Sequence, residues 1–115
     1  MYTFRMRKHF GGNPETSIHY SQLLYRAGKR GLAFDLTPEE YTQIISSGKC
    51  HYCGKELPKT GHGVDRLDHH TGYIKSNCVP CCAFCNQIKG RLEGVGFSYP
   101  RTVELLAELN ESRFS

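Results

Sequence analysis

Apolar and polar positions along the chain alternate in ways that predict four helices and a pair of short strands. From Ser17 to Gly31, "SIHYSQLLYRAGKRG", the positions Ile18, Leu24, Tyr25 and Ala27 recur at helical spacing. Ser17 or Ser21 serves as its cap, and Gly28 and Gly31 bring it to a stop. "DLTPEEYTQIISSGK" holds a second helix. Thr37 is its N-cap, Pro38 sits in its first turn, Glu40 completes a capping box and Gly48 ends it. "VDRL" (64–67) and "YIKSNCVP" (73–80) read as strands joined by the turn "HHTGY". "AFCNQIKG" (83–90) fits a short helix that stops at Gly90. "LEGVGFSYP" is irregular, and after Pro100 the positions Val103, Leu105, Leu106 and Leu109 predict a last helix with one apolar face.

The chain has 115 residues, a length that suits one domain with a small core. The expected organisation is a basic N-terminal arm at 1–16, flanking helices at 17–47, a core at 50–91 and a C-terminal helix at 100–113. A core of this size gains from a metal or disulfide staple. The hydrophobic fraction of 38% and charged fraction of 23% fit a soluble globular protein. No apolar run approaches about 20 residues, so no membrane partner is expected. "MYTFRMRKHFGGNPE" has no apolar signal-peptide core. A cytoplasmic setting, in a bacterial or virus-infected cell, is the expectation.

Charge changes the picture because it is uneven. Arg5, Arg7, Lys8, Arg26, Lys29 and Arg30 face only Glu15 within residues 1–31, a larger excess than the +4 of the whole chain. Such a face either keeps the protein in solution or tracks a phosphate backbone.

Six cysteines in a chain without a signal peptide favour metal binding over disulfides. Cys50 and Cys53 form one C-x2-C turn, and Cys82 and Cys85 form a second 32 residues later. Two such turns offer four thiolates to one ion, the closed tetrahedral set of a structural Zn2+. Cys78 and Cys81 read as buried small hydrophobes. His51 is a weaker ligand candidate, and Tyr2, Tyr20, Tyr25 and Tyr52 read as core or rim.

Between and after the cysteine turns stand Asp65-Arg66-Leu67-Asp68, Gly72-Tyr73, Asn77 and Cys85-Asn86 with Lys89. This series resembles the HNH endonucleases of the ββα-metal superfamily, closest to a zinc-stapled branch common in phages and large viruses. The resemblance covers about residues 20–91. It implies an α+β fold with a ββα-metal core clamped by a four-cysteine zinc site and flanked by helices. It also implies a metal-dependent endonuclease that nicks or cleaves DNA and leaves 5′-phosphate ends. Asp65 and Asn86 would hold a catalytic Mg2+ or Mn2+, an ion that takes few protein oxygens. Asn77 would brace the loop between the strands. Lys89 and Arg91, with Arg26, Lys29 and Arg30, would meet the DNA backbone.

The sequence departs from the family at the general base, because Arg66 stands where histidine usually follows the metal-binding aspartate. Arginine stays protonated and is a poor base, so Arg66 would position phosphate or stabilise its charge. His69 or His70 would activate water, and "DHHTG" also resembles the endonuclease VII branch. His62 is a weaker candidate. The alternatives are metal-bound water supported by Arg66, or a catalytically inactive zinc-stabilised nucleic-acid-binding module, or a domain that binds protein. Cutting both strands requires two copies, so both monomer and homodimer fit.

Overall fold

The computed structural model describes residues 14–58 and 62–114. The arm cations Arg5, Arg7 and Lys8, and most of the loop before the first strand, lie outside the described residues. The elements run α1 (Pro14–Lys29), α2 (Pro38–Ser46), β1 (His62–Arg66), a 3-10 turn (Lys75–Asn77), β2 (Cys78–Cys82), α3 (Ala83–Gly94) and α4 (Tyr99–Phe114).

The helix signals act as their chemistry requires. In α2 the Thr37 hydroxyl accepts from the Glu40 amide at 3.1 Å, and the Glu40 carboxylate accepts from the Thr37 amide at 3.0 Å. Pro38 occupies the first turn, where its missing N–H costs nothing. Gly31 follows α1 with φ +68, a left-handed conformation that favours glycine.

Three boundaries differ from expectation. The α1 helix starts at Pro14, earlier than the serine caps suggest. Proline is well suited to a first turn. The segment 73–80 is not one strand. Tyr73 makes a lone parallel bridge to Phe34, the chain then takes a 3-10 turn, and β2 begins only at Cys78. Helix α3 runs through Gly90 and ends at Gly94, with Gly96 at φ +105 closing the turn that follows. Gly90 is not among the positive-φ glycines and sits inside the helix, so it does not end it.

Strands β1 and β2 pair antiparallel, with Asp65 opposite Val79 and Arg66 opposite Cys78. A two-stranded sheet is marginal alone, and here it has a core on each side. Tyr20, Leu23 and Ala27 of α1, Leu36 of the following link and Tyr41 of α2 pack with Val64, Tyr73 and Cys78. Cys50, Cys81, Cys82, Cys85 and Leu106 form the second cluster. The buried stripe of α4 is Thr102, Leu106 and Asn110, at spacing four, whereas Leu109 is 43% exposed. Two of these three are polar, so the buried stripe is not the all-apolar face expected. Asn110 reaches a cysteine sulfur, that of Cys85.

Among the described residues, no helix is long and apolar enough to cross a membrane.

Candidate active site and cysteine cluster

Strand periodicity sorts the motif residues. Successive side chains point to opposite faces, so Val64 and Arg66 share one face and Asp65 takes the other. Val64 joins the core with Tyr73, and the Arg66 guanidinium lies 5.3 Å above the Tyr73 ring. Arg66 Nη1 donates to the carbonyls of His69 (2.7 Å) and Thr71 (3.0 Å). Arg66 is 8% exposed and braces the hairpin loop, which competes with its expected role on phosphate.

Asn77 braces the same loop. Its Oδ1 accepts from the Asp68 amide at 2.9 Å, and its Nδ2 donates to the carbonyls of Asp68, Thr71 and Gly72 at 3.0–3.3 Å. Asp68 caps the turn, accepting from the His70 amide and the Thr71 hydroxyl, each at 2.9 Å. These bonds hold the Asp68 carboxyl below its usual range.

On the other face, Asp65 Oδ2 accepts from the Tyr52 hydroxyl at 2.6 Å and lies 3.2 Å from Lys89 Nζ. Burial, then the hydrogen bond and charge of Asp65, push the Tyr52 hydroxyl far above the usual tyrosine range. It is a neutral donor. Lys89 also donates to Glu93 Oε1 (2.8 Å) and to the Arg66 carbonyl (3.1 Å). Burial opposes the Lys89 charge, but Glu93 and Asp65 together outweigh it and raise its pKa. Lys89 is only 2% exposed. Two carboxylates draw the ammonium inward, which competes with its expected contact to the DNA backbone.

A cavity of about 630 Å³ opens beside this network, lined by Asp65, His69, Asn86, Glu93, Arg26 and Arg30 among others. Asn86 is exposed on α3. Asp65 and Asn86 thus reach one cavity from strand and helix. His69 joins them, with Nδ1 3.6 Å from Glu93 Oε2. The His70 ring is tilted against the His69 ring with centroids 4.0 Å apart, and His70 lines a neighbouring groove with Phe97 and Tyr99. Lys29 sits over Tyr25 and Arg91 is exposed, and neither lines the cavity. The donor set fits a hard divalent cation, which takes one or two carboxylate or amide oxygens and fills the rest with water and phosphate.

Sequence reasoning missed Tyr52 and Glu93. Glu93 stands four residues after Lys89, a spacing that pairs charges on a helix, and that signal was readable. Tyr52 carried none, because its partner is 13 residues away.

Cys50, Cys53, Cys82 and Cys85 bring their sulfurs within 4.8 Å of one another. A tetrahedral zinc with Zn–S of about 2.3 Å puts its sulfurs about 3.8 Å apart, so a small contraction suffices. Burial pushes Cys50 up, yet backbone hydrogen bonds at Cys82, Cys53 and Tyr52 prevail and bring it down to about 7. Burial raises Cys53 and Cys85. Asn110 Nδ2 donates to Cys85 Sγ at 3.4 Å, and the Cys85 amide donates to Cys82 Sγ at 3.5 Å. Donors aimed at sulfur suit thiolates that ligate a metal. Cys78 and Cys81 stand outside the cluster, and burial pushes both thiols up, Cys78 to about 11.

No protein-family model matches the chain. The "Uncharacterized protein R423" of Acanthamoeba polyphaga mimivirus is 36% identical over 80 residues, which is 70% of this chain. The chain spans only 15% of that relative's length. The solved structure of the rare-cutting HNH restriction endonuclease PacI superposes with a TM-score of 0.62 at 23% identity. That match covers 84% of this chain and 78% of the other. The chain therefore has the α+β fold of an HNH nuclease, with a four-cysteine cluster fit to hold a metal.

Proposed function

We propose that the chain is a metal-dependent HNH endonuclease that hydrolyses phosphodiester bonds in DNA. The observation that carries this reading is the convergence of Asp65, His69 and Asn86 on one cavity with Arg26 and Arg30 in its wall. The four cysteines hold a structural Zn2+, and Asp65 and Asn86 hold Mg2+ or Mn2+. The PacI likeness supports DNA as substrate, and the viral relative suits a protein acting in the cytoplasm of an infected cell. Monomer and homodimer both fit.

A divalent cation bound here neutralises charge on the phosphate and on the leaving oxygen. His69 takes the proton of the attacking water at Nε2 while Glu93, beside Nδ1, stabilises the imidazolium. The phosphorus–oxygen bond to the 3′ oxygen breaks, the departing 3′ oxygen takes a proton from solvent, and the products are a 5′ phosphate and a 3′ hydroxyl. Arg26 and Arg30 hold flanking phosphates without reading sequence. His70 is the weaker base, since the cavity excludes it.

A second reading is an inactive zinc-stabilised nucleic-acid-binding module. The Lys89 ammonium 3.2 Å from Asp65 Oδ2 favours it, because that cation already partners the carboxylate. Nicking of supercoiled plasmid in Mg2+ or Mn2+ decides between the two. The native chain should nick, chelator should stop it, and Asn86→Ala and His69→Ala should each lose about 100-fold or more, the scale of a general-base contribution. Equal background from native and Asn86→Ala protein sinks the enzyme reading.

A further inference from the structure

The candidate catalytic carboxylate is gripped from two sides, and both grips fall on the same oxygen. Tyr52 reaches Asp65 Oδ2 from the first cysteine turn at 2.6 Å, and Lys89 reaches it from α3 at 3.2 Å. The two elements come together where the cysteines do. Cys50 and Cys53 flank Tyr52, while Cys82 caps α3 and Cys85 lies in its first turn. The turn is fixed to the sheet independently, since the His51 amide donates to the Pro80 carbonyl at 2.8 Å. Tyr52 itself is half-buried, edge-on to His51 and Tyr99 at 5.0 and 6.4 Å. Its hydroxyl therefore has little freedom to leave Asp65.

We infer that Tyr52 is a positioning residue: its hydroxyl locks Asp65 Oδ2, so that the carboxylate presents its other oxygen to the divalent cation in a fixed direction. The inference rests on the endonuclease reading above. It makes the four-cysteine cluster more than a staple, because closing the cluster around its metal sets the hydroxyl that aims the catalytic carboxylate. Partners that orient a metal ligand without touching the metal commonly matter this much.

The test uses Tyr52→Phe in the zinc-replete full chain, which keeps the ring packing and removes one oxygen. Mn2+ affinity is measured by calorimetry, with Asp65→Asn defining the part of the binding that needs Asp65. Zinc content and thermal melting are followed in parallel. Tyr52→Phe should keep its zinc and its melting transition, weaken Asp65-dependent Mn2+ binding about 10-fold or more, the scale of lost outer-shell support, and slow plasmid nicking. Glu56→Ala, an exposed position three residues past Cys53, should keep native Mn2+ affinity. Native Mn2+ affinity and native nicking in Tyr52→Phe overturn the inference and leave the endonuclease reading standing. An equal loss in Glu56→Ala also overturns it, since the turn rather than the hydroxyl would then be responsible. A native chain that neither binds Mn2+ through Asp65 nor nicks DNA removes both readings together.

Discussion

Gly72 lies so close to Ala33 that a Cβ at position 72 would sit 2.4 Å from the Ala33 carbonyl oxygen and 2.9 Å from its Cβ. The contact is needed because Tyr73 pairs with this segment. The Tyr73 amide donates to the Ala33 carbonyl at 2.9 Å, and the Asp35 amide donates to the Tyr73 carbonyl at 2.8 Å. Backbone cannot swing aside as a flexible side chain can. Gly72→Ala should therefore destabilise the protein by about 1–3 kcal/mol, the usual cost of overpacking. A urea unfolding midpoint checks it. An unchanged midpoint would mean that the hairpin loop is not clamped on the link between the first two helices.

Asn77 satisfies one amide and three carbonyls of the loop that carries His69. An aspartate has the same shape but no donor, so Asn77→Asp leaves those three carbonyls facing a carboxylate. It should cost more than Asn77→Ala, which merely opens the site, and each change should exceed about 1 kcal/mol, the worth of one hydrogen bond. Chemical denaturation of both variants at pH 7 gives the ranking. If Asn77→Asp is the milder change, donation to the carbonyls does not hold the loop.

Lys89 supplies the positive charge between Asp65 and Glu93. Removing one partner of a buried charge cluster leaves the others uncompensated, so Lys89→Met should cost about 3–5 kcal/mol at pH 7. The folded pKa is raised above the unfolded value. The contribution is thus fully present below the ordinary lysine pKa of about 10.4 and is lost as pH climbs through the folded value. The stability gap between native and Lys89→Met protein should be constant across neutral pH and narrow in the alkaline range. A gap that widens with pH would contradict the assignment.

Much of this architecture is legible in local sequence because local chemistry decides it. The Thr37–Glu40 capping box and the two C-x2-C turns depend on residues a few positions apart or on donor chemistry that tolerates little else. What was not legible depends on which face meets which. Arg66 reads as a free cation, and only strand alternation against Tyr73 shows it spent on loop carbonyls. Lys89 reads as a surface cation, and only its approach to Asp65, 24 positions earlier, turns it inward. Gly90 and Gly96 are the same residue type, yet only Gly96 takes a positive φ, so composition alone misplaces the end of α3.

Asn110 extends the same lesson to the last helix. From 25 residues away its amide donates to Cys85 Sγ at 3.4 Å, while it also donates to the Leu106 carbonyl at 2.9 Å and accepts from Arg113 at 3.4 Å. A donor on sulfur stabilises the thiolate and so the metal it ligates, and such partners are commonly worth about 10–100-fold in metal affinity. Leucine nearly matches asparagine in size, so Asn110→Leu removes the donor while keeping the helix packed beside Leu106. Zinc transfer to a chromophoric chelator should be about 10-fold or more faster from this variant. Glu111→Ala, at the next and exposed position of α4, should release zinc at the native rate. Equal rates in native and Asn110→Leu protein would show that α4 packs against the cluster without supporting its metal.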